Sequence, residues 1–374
     1  IGIDQLMKMR ETSRGQDKKL DDNNNLKSRV SLKRLLNITA PYLWDYEKQD
    51  FVENPNGKNN SGLYIGTEMD TYLELEPIMW AIISGVEEDK IKDNDLTKEE
   101  EERIQKAIEI LQDTKLYLED NPNFDISYLW SVIEEYKINH DICVVAIDYI
   151  ELNTALIAEF AQASRNMGIR EDQVLLELSS NIKHMAEKMD VFIMAFTQTT
   201  DEARREEIRD QRAVKGARSL PNKADVGIVT FKPTKKELEK IQPIVDNISI
   251  GIGKRKAPNI CYSFYKNRGG KVQNAKIWGY QNLGNMQCVD LFCTNEDYEK
   301  RNFEVLIQNL KLHDITRKEF VKKISFVQTY LEDRLKTRKQ ELNKTALGLS
   351  VELLETSDTE TAMLLLKSLK ESSN

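Results

Sequence analysis

The chain has 374 residues, 40% of them hydrophobic and 31% charged, and a net charge of −8. That is the composition of a folded globular protein with room for one large domain or two. It excludes attachment to nucleic acid by overall basic charge, so any such contact must rest on a local cluster. Four cysteines (Cys143, Cys261, Cys288, Cys293) form no C-x-x-C pair and only three histidines accompany them, which argues against a structural zinc site and suits a reducing compartment. No run of 18 apolar residues and no signal-peptide pattern occurs. The expectation is a cytoplasmic protein without a membrane partner.

Residues 1–30 carry the weakest pattern. A short apolar stretch at 3–9 gives way to a polar segment ending in Asp21-Asp22-Asn23-Asn24-Asn25, which reads as a loop. A helix is predicted over 31–44, with Leu32, Leu35, Leu36 and Tyr42 on one face, followed by an Asn-Pro-Asn-Gly turn at 54–57. Residues 63–66 read as a buried strand and 67–84 as a packed helix. Thr97 and Glu100 form a capping box for a further helix, and the acidic run at 99–102 is then its solvated first turn. A strand at 115–118, a helix capped by Asp125 and a continuous apolar run at 142–147 ending in Asp148 come next. An amphipathic stripe over 174–189 and a second apolar run at 191–196 complete the pattern.

Strands alternating with helices indicate an α/β fold with a mostly parallel sheet covered on both faces. Further strands are predicted at 226–231, 261–265 and 275–280. From residue 296 Lys, Glu and Leu dominate, and 296–374 reads as a helical C-terminal extension. The predicted division is therefore a poorly defined segment 1–30, a main domain 31–295 and this extension.

In open parallel sheets ligands collect at the carboxyl ends of the strands. Polar groups stand at four such ends. Asp148 closes the run 142–147, where an aspartate can hold magnesium through water, or cap a helix. Glu68 follows 63–66; it can polarise a water beside a triphosphate, or merely favour a helix dipole. Gln198 follows 191–196, where an amide can donate to a γ-phosphate or bond within a loop. Lys266 and Arg268 share one face of a strand and can meet one triphosphate, or form a solvated turn with Gly269 and Gly270. Separately, Arg204, Arg205, Arg209, Arg212, Lys215 and Arg218 place six cations in 15 residues. Within this stretch Lys215-Gly216-Ala217-Arg218 suits a phosphate backbone, while a solvated helical face is the alternative.

Taken in order, Leu63-Tyr64-Ile65-Gly66-Thr67-Glu68-Met69, Val145-Ala146-Ile147-Asp148-Tyr149, Ala195-Phe196-Thr197-Gln198, Lys215-Gly216-Ala217-Arg218-Ser219 and Tyr265-Lys266-Asn267-Arg268-Gly269-Gly270 resemble the motifs of the DnaB-type replicative helicase motor, over roughly residues 30–285. The resemblance implies a RecA-like P-loop NTPase core and a hexameric ring that uses ATP and Mg2+ to move on single-stranded DNA, with a primase or helicase loader as partner. It implies Glu68 as the water-activating glutamate, Asp148 as the magnesium aspartate and Gln198 as the γ-phosphate sensor. Lys266 and Arg268 would serve the neighbouring subunit's site, and Arg204 to Arg218 would line the channel.

The family's phosphate loop, G-x-x-x-x-G-K-[ST], has its candidate counterpart in Asn23-Asn24-Asn25-Leu26-Lys27-Ser28, with Leu26 where the last glycine belongs. Lys27 and Ser28 are the candidate phosphate and magnesium ligands. The eroded loop raises the alternative of a RecA-fold DNA-binding or assembly subunit that no longer turns over ATP. The family's N-terminal collar finds no counterpart, which resembles a phage or mobile-element relative.

Overall fold

The computed structural model describes residues 26–69, 74–163, 170–200, 202–203, 207–214, 220–252, 257–268 and 274–301, all within one compact unit. The expectations for residues 1–25, and for the extension beyond Arg301, lie outside these residues. So do those for Arg204, Arg205, Lys215, Gly216 and Arg218.

In chain order the elements are α1 (Leu26–Thr39), β1 (Tyr42–Asp45), β2 (Asp50–Glu53), β3 (Gly62–Gly66), α2 (Glu76–Ser84), α3 (Glu88–Asp93), α4 (Lys98–Asp113), β4 (Leu116–Asp120), α5 (Ile126–His140), β5 (Val144–Asp148), α6 (Thr154–Ala163), α7 (Glu171–Met189), β6 (Phe192–Ala195), α8 (Leu220–Lys223), β7 (Val226–Phe231), α9 (Lys235–Ile252), β8 (Ile260–Asn267), β9 (Ala275–Gln281), β10 (Cys288–Thr294) and β11 (Lys300–Arg301). The capping box forms as predicted: Glu100 N–H donates to Thr97 Oγ1 at 3.2 Å and Thr97 N–H to Glu100 Oε2 at 3.0 Å. Asp125 caps α5 by accepting from Tyr128 N–H at 2.7 Å.

Four strands form a parallel sheet in the order β4-β3-β5-β6. Side-chain alternation splits its core in two. Leu63, Ile65, Val145 and Ile147 face α5 and α7. Tyr64, Val144 and Ala146 face α1, α2 and α4, against Leu32, Leu35, Leu36, Ile78, Met79 and Ile82. By the same alternation Asp148, four residues after Val144, turns toward α1.

Three expectations change. The helix predicted over 31–44 starts at Leu26 and stops at Thr39, because Tyr42–Asp45 pairs antiparallel with Asp50–Glu53. The strands at 226–231, 261–265 and 275–280 do not extend the parallel sheet. They belong to a separate antiparallel sheet, β11-β10-β9-β8-β7, around Trp278, Phe231, Cys261 and Phe292. The short β8–β9 and β9–β10 connections allow only antiparallel neighbours. The predicted boundaries also move: 30/31 falls inside α1, and 295/296 falls between β10 and its partner β11.

The turn between β9 and β10 anchors the second sheet to the first. Glu88 N–H donates to Gly284 O at 2.8 Å, Asn285 Nδ2 to Gly85 O at 3.0 Å, and Met286 enters the α1/α2 core. Gly85 ends α2 at φ 72°, and a Cβ there would stand 2.6 Å from Trp44. Beneath this junction Glu88, 1% exposed, receives Arg29 of α1 and Lys92 of its own helix.

Removing one member of a buried ion pair leaves desolvated charge behind and costs about 3–5 kcal/mol. Glu88→Ala is expected to lower unfolding free energy by roughly 3 kcal/mol in urea titrations. The Arg29→Met/Glu88→Leu pair should recover most of that loss. Equal destabilisation by the double variant would show that the carboxylate is not shared in this way.

Candidate nucleotide site

The strand order places a switch point. From β3 the chain crosses to β4 on one side, then passes back over β3 to β5 and β6 on the other. The crevice at the carboxyl ends of β3 and β5 is where such sheets bind ligands. In register, Gly66 pairs with Asp148, and Thr67 N–H donates to Asp148 O at 3.1 Å. Glu68 and Asp148 therefore come to one edge of the sheet, as the sequence predicts.

The first turn of α1 lies over that edge. Asp148 is 3% exposed. Its Oδ2 accepts from Tyr64 OH at 2.9 Å and lies 3.1 Å from Ser31 Oγ. Burial pushes the Asp148 carboxyl up, against the downward pull of the Ser28 and Tyr64 hydroxyls, the Lys27 charge and Ser31. Burial and the Asp148 charge likewise push the Tyr64 phenol up, so it stays a donor. Gly66 belongs to the same contact, because a Cβ there would meet the Tyr64 ring at 2.9 Å.

Asp148 Oδ1 is buried and makes no hydrogen bond to a described residue. A buried carboxylate oxygen left over in this way is suited to a cation or its water. One carboxylate and one hydroxyl, with waters completing the shell, is a donor set that magnesium accepts. Asp148 and Ser28 thus fit the magnesium role that the sequence assigns them. The described residues hold no cluster of three or more His, Cys, Asp or Glu side chains able to enclose a metal.

The Lys27 ammonium lies 3.5 Å from the centroid of the Tyr149 ring. Tyr149 OH in turn meets Glu68 Oε1 at 2.9 Å and also contacts Glu151. The Asp148–Tyr149 peptide is cis. A cavity of about 150 Å³ opens beside these groups, lined among others by Thr67, Glu68, Tyr149, Glu151 and Asn153. Sequence reasoning missed Tyr64, Ser31 and Tyr149. The first two had signals: Tyr64 shares strand parity with Gly66, and Ser31 lies one helical turn beyond Ser28. Nothing in the sequence singled out the Tyr149 hydroxyl.

Gln198 is half-buried just past β6. Its neighbour Thr199 bridges Val214, and Thr200 N–H donates to Ala213 O at 2.9 Å. Lys266 and Arg268 do project together, but toward α8. Lys266 Nζ donates to Pro221 O and Asn222 O, both at 2.7 Å, and Arg268 Nη2 to Asn222 O at 2.8 Å. They stand on the antiparallel sheet, and neither is bonded to Glu68 or Asp148 among the described residues. Burial and the Arg268 charge push the Lys266 ammonium down. Of the described arginines in the basic stretch, Arg209 turns inward: it stacks on Phe231 at 3.8 Å and pairs with Glu237 at 3.4 Å. Within this chain Arg209 is thus engaged in the second core, where the sequence expects it to line a DNA channel. Arg212 is exposed and pairs with Asp210 at 2.8 Å.

Among the described residues no helix is long and apolar enough to cross a membrane. The chain is 31% identical over 273 residues to the SPbeta prophage-derived uncharacterized protein YorI of Bacillus subtilis (strain 168). The match covers 72% of this chain and 52% of that protein, so the chain spans about half the length of the curated relative it matches. The fold is also similar to that of a DnaB-like replicative helicase whose structure was described with its interactions with primase. Identity there is 17% at a TM-score of 0.50, covering 70% of this chain and 55% of the other. Residues 51–283 match the model of the DnaB-like helicase C-terminal domain, a span that holds Glu68, Asp148, Gln198, Lys266 and Arg268, and the chain belongs to that family.

Proposed function

We propose that this chain is the ATP-hydrolysing motor of a ring-forming helicase that moves on single-stranded DNA. The observation that carries the reading is Asp148. Its buried carboxylate sits at the switch point of the sheet, with one oxygen held by Tyr64 and Ser31 and the other left for a cation. Magnesium, when bound, would neutralise charge developing on the phosphate. Asp148 and Ser28 would hold it, and Lys27 would leave the Tyr149 ring for a phosphate. Glu68, exposed at the rim of the cavity, would orient and polarise the attacking water.

Gln198 is the proposed link between nucleotide and DNA. The Thr199–Val214 bridge joins the end of β6 to the residue just before Lys215. A change at a γ-phosphate would thereby reach the Lys215–Arg218 motif, where Arg212, Lys215, Gly216 and Arg218, with Arg204 and Arg205, are proposed to meet the DNA backbone. Lys266 and Arg268 face α8 rather than their own chain's Asp148, which favours the reading in which they serve a site on a neighbouring subunit of a hexamer. Primase or a loader remains the proposed partner class.

A second reading is favoured by one observation. Lys27 lies within α1, and its ammonium rests on Tyr149. A DNA-binding or assembly subunit without turnover would keep that arrangement. Hydrolysis of ATP, measured with and without single-stranded DNA, separates the two. The motor reading expects DNA-stimulated, magnesium-dependent hydrolysis that falls at least a hundredfold in Glu68→Gln, the scale of a lost general base. Equal inertness of wild type and variant would sink it and leave the second reading.

Asp148 yields a separate test of the magnesium site. Its folded pKa is raised, so its contribution to stability is full below the unfolded value and is lost as pH rises through the folded one. At neutral pH the buried charge therefore works against the fold. Asp148→Asn is expected to raise the melting temperature of the metal-free protein by roughly 2–4 °C at pH 7.5, corresponding to about 1 kcal/mol. The gap should narrow toward pH 4. Magnesium with ATP should stabilise the wild type and not the variant. A variant that melts lower at neutral pH, or still gains from magnesium, would remove Asp148 from this role.

A further inference from the structure

We infer that Tyr149 is the positioning residue for Glu68, holding its carboxylate through the phenolic hydroxyl while its ring seats Lys27. The inference rests on the motor reading above and extends it to a residue that the sequence motifs leave without a role. Three contacts carry it. Tyr149 OH stands 2.9 Å from Glu68 Oε1. Its ring carries the Lys27 ammonium at 3.5 Å from the centroid. Its backbone N–H donates to Thr67 Oγ1 at 3.2 Å, which ties the loop after β5 to the loop after β3 just before Glu68.

Tyr149 is 7% exposed whereas Glu68 is exposed. A long carboxylate on a surface loop has many rotamers, and fixing it requires a rigid donor. A phenol with two side-chain torsions, packed beneath the loop, is such a donor.

A phenol has one proton to give, and two carboxylates approach it. Glu151 meets the same oxygen. Glu68 and Glu151 therefore compete for one donor, and the cavity of about 150 Å³ that both line has room for the water that Glu68 would polarise. The Lys27 contact gives the same side chain a second function. A cation over an aromatic face is held only weakly, and a phosphate can compete for it. Loss of the hydroxyl and loss of the ring should thus act on different kinetic constants.

Steady-state ATP hydrolysis by the full chain, with single-stranded DNA present, separates them. Tyr149→Phe keeps the ring and removes the donor. It is expected to lower kcat about tenfold with KM for ATP unchanged within twofold, the sign of a misplaced catalytic group rather than lost binding. Tyr149→Leu removes both functions and should also raise KM. In a Glu68→Gln background Tyr149→Phe should have no further effect, because residues acting as a unit are not additive. An active wild type with an unaffected Tyr149→Phe, or additive loss in the double variant, overturns this inference alone. An inert wild type overturns the motor reading and this inference with it. Unchanged melting temperature in Tyr149→Phe serves as the check that the fold is intact.

Discussion

The site depends on one buried negative charge. Asp148 closes the central strand of a parallel sheet, where both faces are covered and little water reaches it. A carboxylate in such a place is costly unless it is bonded or neutralised. The chain answers from three directions: Tyr64 from the adjacent strand, Ser31 and Ser28 from α1, and the charge of Lys27 one residue earlier. Even so, Oδ1 is left without a hydrogen bond among the described residues. On the proposed magnesium reading that oxygen is the one a cation or its water would meet.

The position of α1 follows from the same need. Its apolar stripe of Leu32, Leu35 and Leu36 packs on the face shared by Tyr64, Val144 and Ala146. Packing alone would allow the helix to slide along the sheet. Arg29, held by Glu88, fixes its axial position two residues after Lys27. The buried pair at Glu88 and the buried charge at Asp148 thus lie on opposite sides of one helical turn. The pair serves the fold by setting which residues of α1 reach the sheet edge.

Much of this was legible before any coordinates. The apolar run at 142–147 has the continuous character of a strand buried on both faces and becomes one, whereas the run at 191–196 forms its neighbour at the sheet edge, with Phe192 62% exposed. Thr97 with Glu100, and Asp125, cap the helices that their spacing announces. Asp148 and Glu68 come to one edge because a period-two pattern fixes strand faces. The failures share a cause: pairing partners are long-range. Tyr42 looked like the last apolar residue of a helix until Glu53 supplied its partner across the hairpin. The runs at 226–231 and 261–265 have strand character, but character alone does not give direction, and they pair antiparallel. Arg209 counted as one of six surface cations, yet Phe231 and Glu237 draw it into the second core.

The two sheets then divide the work. Glu68, Asp148, Lys27 and Ser28 stand at the edge of the parallel sheet and on its first helix, where the proposed nucleotide would sit. Lys266 and Arg268 stand on the antiparallel sheet, bonded to carbonyls at the end of α8. Carbonyl acceptors in a short surface helix hold a cation less firmly than a buried carboxylate would. On the proposed motor reading two cations so held, and turned from their own chain's Asp148, would exchange those carbonyls for phosphate oxygens presented by another subunit. On that reading each isolated chain would hold an incomplete site, and hydrolysis would be a property of the junction between subunits. The Thr199–Val214 bridge completes the logic within each subunit, since it ties the strand end next to Gln198 to the segment entering the Lys215–Arg218 motif. Nucleotide state at one junction would then be felt at the basic motif of the same chain through a connection only a few residues long.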